Sequence, residues 1–324
     1  MRARSQLVYG IRQFFTARGF LEVDTPVALS APAPELHIEA PAVELATPEG
    51  RMRRFLQPSP ELPMKRLIAA GLAPIFQIAA VFRDGEFTPR HRPEFRLLEW
   101  YRAQANWTTL INDCEALLRH CAHALSLPLQ LTYQGQPIDL EAPFTRITVD
   151  EAFRVHAGFS ILETITCAQL ADRLHALGIH TSENDSWDDL FHRAYLCRVE
   201  PALAKLNRPV FLTYYPAPLA ALARLSPENP RVAERFELFA GPLELANAYG
   251  ELVDATEQRV RFGRDKQARA EAGRADYPLD ERFLAAMGAM PPTAGIALGL
   301  DRLLMLFLDA ADIDEVQFLP WAET

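Results

Sequence analysis

Gly295-Ile296-Ala297-Leu298-Gly299-Leu300-Asp301-Arg302 runs without a break into Leu303-Leu304-Met305-Leu306-Phe307-Leu308. Small residues stand at every second position of the first segment, and alternate residues of a strand share a face. One face of that strand is therefore nearly bare, which lets a ligand come close to the backbone. The other face is apolar and reads as core. The run that follows reads as a buried helix with an acid and an arginine at its mouth. A guanidinium there offers a planar, permanently charged fork suited to phosphate.

A second arginine-bearing block lies far upstream. Pro74-Ile75-Phe76-Gln77-Ile78-Ala79-Ala80-Val81-Phe82 enters it, and Phe95-Arg96-Leu97-Leu98-Glu99-Trp100-Tyr101 leaves it. Gly85 and Pro89 supply turn chemistry between the two. The pattern predicts a long hairpin whose loop carries Arg83, Arg90, His91 and Arg92. In its outgoing strand Phe95, Leu97, Glu99 and Tyr101 fall on one face. An aromatic ring, an acid and a phenol beside an arginine-rich loop suit a pocket for a nucleotide and an amine.

Together the two blocks resemble motifs 2 and 3 of the class II aminoacyl-tRNA synthetases, and three further stretches narrow the likeness to the lysyl branch. Ile11-Arg12-Gln13-Phe14-Phe15 followed by Arg18-Gly19-Phe20-Leu21-Glu22-Val23-Asp24-Thr25-Pro26 is similar to motif 1, the helix–strand dimer element. Ser59-Pro60-Glu61-Leu62-Pro63-Met64-Lys65-Arg66-Leu67 resembles the amino-acid-binding loop and helix. Phe236 to Phe239 and Glu244 to Leu252 resemble the acidic segment before motif 3. The resemblance covers essentially the whole chain. It implies an α+β fold: a mostly antiparallel sheet flanked by helices, as a single catalytic domain over 1–324 with a helical insertion at about 104–205.

Two departures point within the branch. The motif 1 helix starts almost at Met1, leaving no room for an N-terminal anticodon-binding barrel, and Ala297 stands where lysyl-tRNA synthetases usually carry glycine. Both are similar to the stand-alone lysyl-tRNA synthetase paralogues that modify elongation factor P. That family uses ATP and Mg2+ to activate (R)-β-lysine and ligates it to a lysine of the factor.

The resemblance implies a role for each matching residue. Arg83 bridges the amino-acid carboxylate and the α-phosphate; Arg302 holds the γ-phosphate side and sandwiches adenine with Phe95; Arg90 and His91 touch the β- and γ-phosphates. Glu237 and Glu244, on paired strands of a hairpin across Ala240-Gly241-Pro242, hold Mg2+. Glu251 with Tyr101 takes the terminal ammonium, Glu61 and Glu99 face the other amine, and Asn247 reaches the carboxylate. Ala297 is expected at the pocket floor, where its added methyl either tilts the substrate toward the β-isomer or is a neutral filler. The opening Arg83-Asp84-Gly85-Glu86 departs from the usual Arg-x-Glu, leaving open whether Glu86 or another acid reads the adenine amine. The family likeness further implies a cytoplasmic homodimer. Competing readings are a minimal enzyme charging tRNA or a small acceptor with lysine, and a catalytically dead class II module.

Composition is compatible with this. A formal net charge of -9 disfavours an extended tRNA-binding surface. Cys114, Cys121, Cys167 and Cys197 form no CxxC pair and read as structural thiols of a reduced compartment. Cys114 and Cys121 are spaced as one buried helical stripe. No apolar segment is long enough to span a bilayer. Helical spacing predicts helices over Trp107 to Leu125, Thr148 to Val155, Cys167 to Leu177 and Trp187 to Val199. Strands are expected at Val210 to Tyr215, Arg235 to Phe239 and Glu244 to Leu252. A helix with a solvated polar face is expected from Asp254 to Ala272.

Overall fold

The computed structural model describes residues 2–323. An eight-stranded sheet runs, in spatial order, 21–22, 75–82, 94–103, 293–299, 243–250, 235–240, 210–213 and 145–148. Only the two outermost pairings are parallel; all internal ones are antiparallel. The bare strand read from the sequence, Thr293–Gly299, therefore sits deep inside the sheet rather than at an edge.

One face of the sheet is closed by three helices. Helix Arg2–Thr16 buries Leu7, Ile11, Phe14 and Phe15, a single stripe at helical spacing. Phe15 stacks on Phe76 of the sheet with ring centroids 4.8 Å apart. Helix Thr108–Ala124 buries Leu110, Ile111, Cys114, Leu117, Leu118 and Cys121 against the same layer. It approaches the first helix so closely that a Cβ on Gly10 would lie 2.8 Å from that of Ala124. Helix Leu300–Leu308, buried along nearly its whole length, completes the layer. Asp301 at its start is a structural group: it accepts from Arg4 at 2.5 Å and from the Arg96 amide at 2.7 Å, pinning first helix, hairpin and last helix together.

Within 104–205, helix Thr108–Ala124 belongs to this main core, and Thr145–Thr148 forms the outer strand. Residues 149–203 carry a separate core around Val149, Phe153, Leu170, Leu174, Phe191 and Val199. Its three main helices begin on capping boxes, Thr148 with Glu151, Thr166 with Gln169 and Ser186 with Asp189. Each box satisfies amide groups that a helix start leaves orphaned. Cys114 and Cys121 are buried as the spacing predicts, but Cys167 and Cys197 are exposed, so only the first pair packs the core.

Helix Ala255–Glu271 corrects one expectation. Its polar face is not wholly solvated: Gln258 and Arg269 are each 1% exposed. Arg269 is drawn in because it donates to the carbonyls of Glu35 at 2.7 Å and Ile38 at 3.0 Å, and to the Glu39 carboxylate at 2.8 Å. A buried guanidinium is tolerated when its donors are met in this way. Among the described residues no helix is long and apolar enough to cross a membrane.

Candidate active site

The open face of the sheet forms the floor of a cleft open to solvent. Strand register sets two rows across it. Gln77, Glu99, Ala297, Asn247 and Glu237 stand opposite one another in sequence across five strands. Ile75, Tyr101, Gly295, Tyr249 and Arg235 form the next row. Residues directly opposite on paired strands share a face, so the small residues of the central strand lie between polar groups on both sides. Gly295 has to lack a side chain, since a Cβ there would overlap the Tyr101 ring and the Glu251 carboxylate. A β-bulge adjusts the third side. Between Leu238 and Phe239 the register slips by one residue, so Glu244 pairs with Phe239 while Ala246 pairs with Leu238. In a regular strand Glu244 and Asn247 would face opposite ways; the extra residue turns both toward the cleft.

Twelve of the thirteen sequence-predicted residues line this cleft: Arg83, Arg90, His91, Phe95, Glu244 and Arg302 at one end, and Glu61, Glu99, Tyr101, Asn247, Glu251 and Ala297 at the other. Glu237 stands at the margin, beside Glu244 on the adjoining strand, with its carboxylate taken up by Tyr215 at 2.5 Å and Arg235 at 2.6 Å.

The basic end is held in place before any ligand arrives. Arg302 donates to the Glu244 carbonyl at 3.0 Å and to His91 Nε2. Burial and the Arg302 charge push the His91 pKa down to about 4, so the ring is neutral and accepts at Nε2. Its Nδ1 then donates to the Thr88 hydroxyl at 2.7 Å. Arg83 lies over the Phe95 ring, 5.2 Å from its centroid, and pairs with Glu86 at 3.6 Å. In the free site it is thus Arg83, not Arg302, that meets Phe95. Arg92 is a structural member of the loop, nearly buried and bonded to Asp312 and Asp314.

The acidic end carries a cation that sequence reasoning missed. Lys65, 1% exposed, bridges Glu61 and Glu251, with Nζ 2.5 Å from each carboxylate. Glu99 accepts from Ser59 at 2.5 Å and from Tyr101 at 3.1 Å. The acids are therefore grouped differently from the expectation: Tyr101 is bonded to Glu99, and Glu251 to Lys65. Asn247 accepts from Arg235 at 3.3 Å. Burial, with Glu61 close by, raises the Glu99 pKa to about 8; burial also raises Glu251 to about 8 despite Lys65. Glu35, likewise unforeseen, faces the same end. Lys65 had a signal in the sequence, the i,i+4 spacing from Glu61 on a helix; Glu35 follows a proline-rich loop and had none.

Glu237 and Glu244 suit a hard divalent cation in part. Burial and the neighbouring charge of Glu237 raise Glu244 to about 7, a repulsion that a cation would relieve. Glu237 already has both oxygens engaged, which leaves Glu244 as the freer ligand. Among the described residues no set of three or more His, Cys, Asp or Glu side chains could hold a metal ion. An ion here would lean on substrate phosphates, and the chemistry it supplies is neutralisation of their charge.

A cleft with arginines at one end and acids at the other, on an antiparallel sheet entered by a long hairpin, is matched by comparison with known proteins. The family described as tRNA synthetases class II (D, K and N) matches residues 1–323. The chain belongs to that family. It is 41% identical over 323 residues to the elongation factor P–(R)-β-lysine ligase of Haemophilus influenzae (strain Rd), covering 97% of this chain and 92% of that protein. The proteins of the same name from Histophilus somni (strain 2336) and Klebsiella pneumoniae (strain 342) are each 38% identical, with the same coverage.

Proposed function

We propose that this chain is an ATP-dependent ligase that activates (R)-β-lysine as an aminoacyl adenylate and transfers it to a lysine of elongation factor P. The observation that carries this reading is the pairing, in one cleft, of a preorganised arginine cluster with an amine pocket holding Glu61, Glu99 and Glu251 around a single lysine. Counted as ions, Glu35, Glu61, Glu99 and Glu251 outnumber Lys65, so this end is net negative, as the ammonium groups of a diamino acid require. A catalytically dead module has no use for that balance.

Activation needs no protein nucleophile. A substrate carboxylate oxygen attacks the α-phosphorus, and the bond to the β-phosphate breaks with release of pyrophosphate. The acceptor lysine amine then attacks the acyl carbon, AMP leaves, and the amine loses a proton. Positioning and charge neutralisation are the protein's contribution. In this reading Arg83 bridges the carboxylate and the α-phosphate, and Arg302, splinted by neutral His91, takes the outer phosphates with Arg90; all four line the one cleft. Glu244, with Glu237 beside it, would hold a Mg2+ ion, which would supply neutralisation of the phosphate charge. The test is a mass-shift assay: the chain, ATP, Mg2+, candidate amino acids and purified elongation factor P. Modification of the factor by a lysine isomer supports the proposal; adenylate formation with transfer to tRNA alone overturns it.

The raised carboxyls give a pH signature. A carboxyl raised to about 8 is protonated in the free site at lower pH and must ionise to hold an ammonium. Its contribution to the stability of the empty protein is present at acid pH and is lost as pH rises through about 8. Diamino-acid binding should therefore tighten from about pH 6 to pH 8, and the rise in Tm given by saturating lysine should grow over that span. A thermal-shift titration at several pH values measures both; a flat profile contradicts the assignment of Glu99 and Glu251.

Ala297 separates substrate from near-substrate. It lies between Glu99 and Asn247 in the same row, so its methyl enters the cleft. Ala297→Gly is expected to shift kcat/KM toward α-lysine by ~1–3 kcal/mol, the usual worth of one small apolar group in discrimination. Equal ratios in both proteins would make the methyl a filler.

The working form proposed is a cytoplasmic homodimer through the segment 11–26, where Tyr9 and Leu21 nearby leave large apolar surface exposed. Sedimentation at micromolar concentration should give twice the chain mass, and a monomer would contradict this.

A further inference from the structure

Glu35 stands at the acidic end of the cleft without a partner. Its backbone is fixed by the buried Arg269, which donates to the Glu35 and Ile38 carbonyls. Tyr277 adds a hydrogen bond to the Glu39 carboxylate at 2.8 Å, and the Asp84 amide donates to the Glu39 carbonyl at 2.8 Å. The loop is thereby tied to helix Ala255–Glu271 and to the start of the arginine hairpin. Its first acid lines the cleft with Glu61 and Arg83. Among the described residues the Glu35 carboxylate makes no hydrogen bond or ion pair. Every other acid at that end has one: Glu61 and Glu251 have Lys65, and Glu99 has Ser59 and Tyr101.

A half-buried acid on a clamped loop, left unpaired in the free protein, is placed for a cation that arrives with the substrate. Burial and the Glu61 charge push its pKa up to about 7, as expected of an acid awaiting one. Its position selects which cation. The Arg83 end takes the substrate carboxylate, and Glu251 with Lys65 lies toward the terminal amine. Glu35, beside Arg83 and Glu61, falls at the inner amine. That amine is what differs between lysine isomers, moving by one carbon–carbon bond, roughly 1.5 Å.

We infer that Glu35 is a specificity residue that binds the inner ammonium of the diamino acid, sharing it with Glu61. This rests on the ligase reading above, and the test separates the two. Titration calorimetry would compare wild type and Glu35→Gln with (R)-β-lysine, α-lysine and 6-aminohexanoic acid, which carries the carboxylate and terminal amine but no inner amine. The expected result is a loss of ~10-fold or more in affinity for both diamino acids with binding of 6-aminohexanoic acid and ATP unchanged, and partial recovery in Glu35→Asp. Unchanged affinity for the diamino acids overturns the inference. So does an equal loss for 6-aminohexanoic acid, which would make Glu35 a prop for the loop. The clamp uses backbone carbonyls, which the variants keep, and a melting curve for each checks the fold. Wild type that binds these ligands yet gives no amino-acid-dependent exchange of pyrophosphate into ATP would sink the ligase reading and leave the Glu35 result standing.

Discussion

Arg83→Ala and Arg302→Ala are each expected to slow amino-acid-dependent exchange between pyrophosphate and ATP by about 10²–10³-fold. That is the usual cost of removing one preorganised group aimed at charge developing in the transition state. The structure gives the reason the loss should fall on kcat as well as KM. Arg302 is not a free surface side chain: His91, the Glu244 carbonyl and the Arg90 carbonyl at 3.5 Å fix its direction before ATP arrives. Arg83 lies over Phe95 and within reach of the Pro58 carbonyl at 3.4 Å. Arg302→Lys keeps the charge but loses the planar fork, so it should recover only part of the rate. A pair of alanine variants with wild-type exchange would remove both residues from the reaction.

Lys65→Met is expected to destabilise the fold by about 3–5 kcal/mol, the range found when one partner of a buried ion pair is deleted. Lys65 and Glu251 are each 1% exposed and Glu61 14%, and the change leaves two carboxylates facing one another with no cation between. Urea denaturation near neutral pH measures the loss. The loss should deepen as the pH rises through about 8, because burial raises Glu251 to about 8 and above that the orphaned acid is charged. A second change, Glu251→Gln, should restore stability in the Lys65→Met background but not lysine-dependent exchange. If the double variant is no more stable than the single one, the bridge is not what holds this end of the cleft.

Much of the site was legible because it lies on elements with a short period. Alternation alone put Phe95, Leu97, Glu99 and Tyr101 on one face, and all four line the cleft. The same rule set Gly295, Ala297 and Gly299 toward the ligand and Ile296 and Leu298 into the core. Glu237 and Glu244 were readable as lying on paired strands of a hairpin from the turn between them, and they do, with Glu237 opposite Asn247 and Glu244 opposite Phe239. Matching blocks in the right order then carried the family.

What the tertiary structure alone decided are the meetings between distant segments and the charges they produce. Alternation would have turned Glu244 away from Asn247; only the bulge brings both to the cleft. Lys65 reads as a helix-surface lysine until the sheet brings Glu251 against it, and only then does it offset one of the acids gathered there. Arg269 and Glu35 are 234 residues apart, and nothing local distinguishes that arginine from its solvated neighbours on the same helix. A strand's faces follow from local backbone geometry, whereas a buried charge is set by whichever partner the fold delivers.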